Sequence, residues 1–279
     1  FSLNDYKNQT EREQLQRLIK ISDPDKNKKT IFIWPEGIFY ESYLDEITQY
    51  KNLFNDKFSK NHLIILGINN FNNSNNIENN NYFNSLVLLN HNLNILSVYN
   101  KINLVPFGEF LPFENFLSKF GLKKVTQGYN SFSSGSERKL INLGKKFNEK
   151  SIFPLICYEI IYPGKIKNKN QFPDIVINIS EDAWFGKSIG PYQHFTKAIY
   201  RSIEEGVFIA RSANKGISAF INPSGEILKS LNTGESGSIM LNFPYFNSST
   251  LFSIYGNKIF FLIIFLYIFL ALIFKKLKI

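Results

Sequence analysis

Cys157 is the only cysteine among 279 residues. It follows the apolar run Phe153-Pro154-Leu155-Ile156 and precedes Tyr158-Glu159. A single thiol excludes an internal disulfide and a cysteine metal cluster. His62, His91 and His194 are too scattered in sequence to suggest a zinc site, so neither a metal nor a cofactor is expected. Two roles remain for Cys157: a small hydrophobe filling a buried strand end, or a nucleophile. Two other segments also run from a strand into unusual polar residues. In "IFIWPEG" Glu36 follows Trp34-Pro35, and Pro35 restricts the backbone of Trp34 to extended conformations. In "YNKINLVPFGEFLPFE" Lys101 is followed by Glu109 in a turn rich in Pro and Gly. Singly, such a glutamate reads as a solvated loop end and such a lysine as a solvated face. Together they have a chemical logic. A thiol of ordinary pKa, about 8.5, must lose its proton to attack, and Glu36, partly desolvated beside Trp34, can accept it. Lys101 can hold negative charge developing on a carbonyl oxygen. If a helix begins after Cys157, the Tyr158 N–H points toward the same oxygen. Base, cation and nucleophile are the parts of a covalent acyl-transfer site.

Strand ends must bring these groups together. "TIFIW", "HLIILGIN", "SIFPLIC" and "PDIVINIS" are apolar nearly throughout, as expected of strands covered on both faces. Tyr82 to Leu89 and Leu93 to Val98 flank "NHN" and read as a hairpin. "VFIARSA", "GISAFI" and "EILKS" read as strands, with "NPSG" the turn between the last two. Helices are predicted from a capping box at Thr10 to Glu13, over roughly 41–60, near 158–168, and over "HFTKAIYRSIEEG" up to Gly206. "NNFNNSNNIENNN" is a low-complexity loop. Strands that alternate with helices in places and form hairpins in others indicate a layered α/β domain with mixed sheets.

The net charge is +9, and Lys258, Lys275, Lys276 and Lys278 flank one C-terminal apolar segment. No basic run interleaved with aromatics suggests a nucleic-acid groove, so no nucleic-acid partner is expected; an anionic membrane surface accounts for the charge. From Ile259 to Phe274 no residue is charged. As a helix this stretch is about 24 Å long, slightly short of a hydrocarbon core of ~30 Å. Apolar on every side, it reads as a membrane span rather than a core helix, with Tyr255 and Lys258 at the boundary. The "KKLKI" tail predicts a cytoplasmic C-terminus and a large domain outside the cytoplasm. A chain that begins at Phe1 and has Met240 as its one methionine reads as a fragment or processed product.

Glu36, Lys101 and Cys157, in that order and each at a strand end, resemble the Glu-Lys-Cys set of the nitrilase (carbon-nitrogen hydrolase) superfamily. "WPEG", "NKINLVPFGEFLPFE", "ICYEIIYPG", "DAWFGKSIGPYQH" and "RSANKGISAFINPSGEIL" are similar to its apolipoprotein N-acyltransferase family, over about Ile31 to Phe243. The resemblance implies a nitrilase-like α-β-β-α sandwich on residues 1–245 that lacks most of its first strand. It implies a transmembrane helix at 256–274, a basic cytoplasmic tail at 275–279, and an N-terminal membrane domain absent from this chain. It makes Glu36 the base, Lys101 the stabiliser of the tetrahedral intermediate and Cys157 the nucleophile. Glu109 would orient the lysine and relay protons, Tyr158 and Glu159 would flank the nucleophile, and Trp34, Trp184 and His194 would contact substrate. The implied reaction moves an acyl chain from a phospholipid donor, through a Cys157 thioester, to a diacylglyceryl-modified apolipoprotein acceptor. The implied location is the bacterial inner membrane, with the catalytic domain on its periplasmic side. Glu181 stands where the family pattern leads us to expect asparagine, and Lys215 where it leads us to expect a small or neutral residue. Three alternatives stay open: a soluble hydrolase of a small amide or nitrile, a Cys157–His194 thiol hydrolase, and a membrane-anchored binding domain without activity.

Overall fold

Successive side chains of a strand point to opposite faces, so an uninterrupted apolar run needs a covering layer on each side. The computed structural model, which describes residues 9–72, 81–113, 131–164, 166, 172–242 and 249–276, provides those layers around two sheets. In the first, β1 (Thr30–Ile33) pairs parallel with β2 (His62–Asn72). β3 (Asn81–Asn90) and β4 (Ile95–Asn100) then follow antiparallel, so the expected hairpin is present. The second sheet contains β5 (Ile141–Asn142), β6 (Ser151–Ile156), β7 (Ile175–Glu181), β8 (Ile209–Asn214), β9 (Ser218–Ile221) and β10 (Ile227–Leu231). Its order is β10-β9-β8-β7-β6-β5, parallel through β6, β7 and β8 and antiparallel toward both edges.

Alternation along the strands divides the buried apolar residues into three layers. Leu63 and Ile65 of β2, Leu86 and Leu88 of β3, Ile152 and Ile156 of β6, and Ile175, Ile177 and Ile179 of β7 meet between the sheets. Their neighbours Ile64, Leu66, Val87 and Leu89 face outward against Leu15 and Ile19 of α1 (Glu11–Ser22) and Phe54 of α2 (Lys51–Asn55). On the other side Phe153, Leu155, Val176 and Ile209 pack against Phe195 and Ala198 of α3 (Gly190–Glu205). Helix, sheet, sheet, helix is the resulting order, as the sequence led us to expect.

The helices depart from expectation at identifiable residues. The capping box of α1 is present, with Thr10 Oγ1 accepting from the Glu13 N–H at 3.3 Å and Glu13 Oε2 accepting from the Thr10 N–H at 2.8 Å. The stretch expected to be one helix over 41–60 is a 3₁₀ turn, Leu44–Tyr50, followed by the short α2. Leu44, Ile47 and Tyr50 are its buried residues, and a spacing of three matches the 3₁₀ period rather than 3.6. The helix expected near 158–168 is a five-residue 3₁₀ turn, Cys157–Ile161. Pro163 holds the preceding Tyr162 extended (φ −84°, ψ 115°) and stops it; residues 165 and 167–171 lie outside the described residues. α3 begins at Gly190, four residues before the expected start, because Pro191 suits a first helical turn. Lys215 occupies a left-handed turn position (φ 56°) between β8 and β9.

After the sandwich come α4 (Leu251–Tyr255) and α5 (Lys258–Lys276). α4 is tied to the domain by a hydrogen bond from Thr250 Oγ1 to the Glu204 carbonyl. α5 has 19 residues and a mean hydropathy of 2.5, and none of it is buried. It is the one helix among the described residues long and apolar enough to cross a membrane. At 1.5 Å per residue it measures roughly 28 Å, close to a hydrocarbon core.

Candidate active site

The ends of β1, β4, β6 and β7 and the beginning of β3 converge on one side of the sandwich. The chain leaves β1 through Trp34-Pro35 and turns at Glu36. Its backbone passes so near β2 that a Cβ on Gly67 would lie 2.9 Å from the Glu36 Cα. Gly67 therefore has to lack a side chain. The Glu36 carboxylate is buried, with Oε1 accepting from Asn84 Nδ2 at 2.6 Å and Oε2 from the Glu181 N–H at 2.9 Å. Burial raises its pKa above the ordinary glutamate value, and the nearby Lys101 charge only partly opposes this.

Lys101 follows β4 and is 1% exposed. Its Nζ donates to Glu109 Oε1 at 2.9 Å. Burial disfavours its charge, but the carboxylates of Glu36 and Glu109 outweigh that effect and raise its pKa. It stays an ammonium ion throughout the physiological range. Glu109 Oε1 also accepts from Asn84 Nδ2 at 2.9 Å, and Oε2 accepts from the Val105 N–H at 2.8 Å. One Asn84 amide thus spends both its protons bridging Glu36 and Glu109. Sequence reasoning passed over Asn84; the signal available was the polar pair Asn84-Ser85 interrupting an apolar strand.

Cys157 terminates β6 in a left-handed conformation (φ 49°). For a residue with a Cβ this costs about 1–2 kcal/mol, so surrounding contacts must hold it there. Glu159, two residues on, makes many of them. Its Oε2 accepts from the Ile156 N–H at 2.9 Å, and its Oε1 accepts from the N–H groups of Ile102 and Asn103 at 3.0 and 3.1 Å. Tyr99 and Arg138 also donate to it. Glu159 thereby fastens the Cys157 turn to the loop carrying Lys101, a positioning role. The Tyr158 ring meets Tyr162 edge-on, centroids 5.5 Å apart. Cys157 is half-buried, and its thiol is pushed up to about 12, first by desolvation and then by the Glu36 charge, against the pull of Lys101 and Ser180. Such a thiol is protonated at rest. It becomes a nucleophile only by passing its proton to a base as it attacks, and Glu36 is the carboxylate acting on it most strongly.

Two residues expected to contact substrate are buried. Trp34 is 3% exposed and belongs to the outer core, its ring 5.6 Å from Phe54 and 6.2 Å from Phe58 and its Nε1 donating to Ser22 Oγ at 3.0 Å. It supports the β1 end rather than lining a pocket, since an indole prefers a dry slot with one polar partner. His194 is buried as well: Nε2 lies 3.1 Å from the Cys157 carbonyl oxygen and Nδ1 lies 2.9 Å from Asp182 Oδ1. With both ring nitrogens so occupied it forms no pair with the sulfur, which removes the Cys157–His194 hydrolase. Trp184, by contrast, is 63% exposed in the turn after β7. Glu181 is turned inward, accepting from the Ala183 N–H at 3.0 Å and from Asn214 Nδ2 at 2.6 Å.

A buried carboxylate, a fixed ammonium ion and a thiol gathered at one end of the sandwich can support covalent attack on a carbonyl. The carbon-nitrogen hydrolase family model matches residues 31–244, a span that takes in all three groups. The chain is 39% identical over 175 residues to the apolipoprotein N-acyltransferase of Bradyrhizobium diazoefficiens, covering 63% of this chain and 32% of that protein. It is 42% identical over 176 residues to that of Rickettsia prowazekii, covering 63% and 34%. The chain thus spans about a third of the length of the curated relatives it matches. Among solved structures, a CN-hydrolase superfamily protein from Xanthomonas campestris superposes with a TM-score of 0.55 at 16% identity, over 81% of each chain. With the family pattern running from β1 to beyond β10 on a matching two-sheet fold, the chain belongs to the carbon-nitrogen hydrolase family.

Proposed function

We propose that the chain carries the catalytic domain of an apolipoprotein N-acyltransferase. Cys157 attacks the ester carbonyl of a phospholipid, giving up its proton to Glu36. A sulfur–carbon bond forms, the ester carbon–oxygen bond breaks, and a lysophospholipid leaves with a proton. The N-terminal amine of a diacylglyceryl-modified apolipoprotein then attacks the thioester; an amide forms, and the thiol is regenerated. Lys101 holds the negative oxygen in both halves. Trp184, exposed beside the site, meets the lipid substrates, and Tyr158 supplies its N–H to the oxyanion.

The observation that carries this reading is the similarity of about 40% to apolipoprotein N-acyltransferases from several bacteria. The exposed apolar α5 supports it, since both proposed substrates are lipid-anchored. Residues 1–245 form the catalytic unit, 256–274 the membrane span and 275–279 a basic tail on the cytoplasmic side. The sandwich faces the periplasm from the bacterial inner membrane. The purified chain, given phospholipid labelled in an acyl chain and a diacylglyceryl-cysteine peptide, is expected to yield a labelled peptide stable to neutral hydroxylamine. Hydrolysis of small amides without any peptide labelling would refute the proposal.

The anchor has its own test. A chain ending at Tyr255 should appear in the supernatant of carbonate-washed membranes, whereas the whole chain should sediment with them. Retention of the shortened chain would mean that the sandwich itself inserts.

A further inference from the structure

The oxyanion-binding geometry depends on a peptide plane that a buried network holds from behind. A trans peptide is planar, with its C=O and N–H pointing in opposite directions. Fixing the Cys157 carbonyl therefore fixes where the Tyr158 N–H points. That N–H belongs to the first turn of a 3₁₀ helix, where the leading donors have no intrahelical acceptor. His194 Nε2 approaches the Cys157 carbonyl oxygen to 3.1 Å. We propose that His194 is a positioning residue that, through the Cys157 carbonyl, aims the Tyr158 N–H at the oxygen of a carbonyl under attack by Cys157. The inference rests on the acyl-transfer reading only in requiring that Cys157 attack a carbonyl.

The role needs a proton on Nε2. A carbonyl oxygen only accepts, so Nε2 must carry a proton. The other face of the ring meets Asp182, Arg211 and, edge-on at 5.7 Å, Phe185. Asp182 Oδ1 accepts from Ser180 Oγ at 2.7 Å and Oδ2 accepts from Arg211 Nη2 at 2.7 Å. Arg211 Nη2 also lies 3.2 Å from His194 Nδ1, and an arginine N–H can only donate. Nδ1 thus faces the Asp182 carboxylate, an acceptor at 2.9 Å, as well as this donor, and the proton on Nε2 is the one the Cys157 carbonyl requires. Arg211 is fixed in turn by the Ile217 carbonyl, 3.2 Å from Nε, and by Asn178. Burial first, and the Arg211 charge second, keep the His194 pKa below its ordinary value, against the contacts with Asp182 and the Cys157 carbonyl, which raise it. Even the β8–β9 turn is shaped around this group: a Cβ on Gly216 would lie 2.1 Å from Asp182 Oδ2.

Two reactions of the same sulfur separate aiming from mere packing. Acylation by p-nitrophenyl butyrate builds an oxyanion and expels p-nitrophenolate. Alkylation by iodoacetamide displaces iodide from a saturated carbon and builds none. In the whole chain, His194→Met should slow acylation by about 10² to 10³, the usual cost of one oxyanion donor, with alkylation near the wild-type rate. His194→Gln, matched in length but bearing an amide donor, should recover most of the acylation. Equal loss of both reactions, no loss of acylation, or a glutamine no better than methionine would overturn the role. Should either variant misfold, ¹⁵N-histidine spectra of the wild-type chain decide: a protonated Nε2 at neutral pH is expected, and a bare Nε2 is incompatible with the role. A wild type inert toward phospholipid that still shows this split would sink the lipid-acyltransferase reading and leave the positioning role intact. Phospholipid turnover without the split would do the reverse.

Discussion

Lys101→Met should cut acyl transfer to a small residual rate while the sandwich still folds. Losing one oxyanion donor costs about 10² to 10³ in rate, and here the loss should exceed that. Asn84 draws the carboxylates of Glu36 and Glu109 together, hydrogen-bonding both, and Lys101 is the cation that lets them share a buried site. Without it, two carboxylates in a low-dielectric pocket repel, and a proton binds to relieve them. The Glu36 pKa, already raised by burial, then rises further. A base works only above its pKa. The wild-type rate should therefore fall as pH drops through the Glu36 pKa, and in Lys101→Met the residual rate should show the same limb displaced to higher pH. Single-turnover acylation measured across pH checks both points. A loss below about tenfold, or about 1.4 kcal/mol, with an unmoved pH profile would remove Lys101 from the chemistry.

Glu36, Lys101 and Cys157 were legible in the sequence because each stands just beyond a segment that reads as a strand. Glu36 and Cys157 inherit their positions from the ends of β1 and β6, whereas β4 is mostly exposed and places Lys101 through its hairpin pairing with β3. The supporting residues left no comparable trace. Asp182, His194 and Arg211 lie on a turn, a helix and a strand, and each alone reads as a polar residue on a solvated face. Only the packing of α3 over the second sheet makes them one buried group. Trp34 was misplaced for a related reason. Its neighbour Glu36 points to the site, but the indole turns into the aromatic slot of Phe54 and Phe58. The overlong helix over 41–60 was read from its polar, amphipathic character, which does not separate 3₁₀ turns from α-helix. At Leu44, Ile47 and Tyr50 the spacing of three was the discriminating signal.

Cys157 itself should carry the acyl group when the acceptor is withheld. The proposed reaction has two separable halves, and the thioester of the first is discharged by an amine. Supplied with phospholipid alone, the chain should accumulate one fatty acyl group per molecule, seen by intact-protein mass spectrometry and mapped to the peptide containing "ICYEI". Neutral hydroxylamine should remove it, since a thioester yields to that nucleophile and an amide does not. The resting thiol, pushed up to about 12, makes the adduct informative. Burial holds this thiol protonated at neutral pH, so attack on the timescale of turnover calls on Glu36 to take the proton. Glu36→Gln, which keeps the size and removes the base, should consequently form the adduct orders of magnitude more slowly, and Cys157→Ala should form none. A cysteine that only fills the end of β6 would stay unmodified in every case. An active preparation whose Cys157 never carries the acyl chain would exclude the covalent route, and an adduct formed as fast in Glu36→Gln would mean the proton leaves by another path.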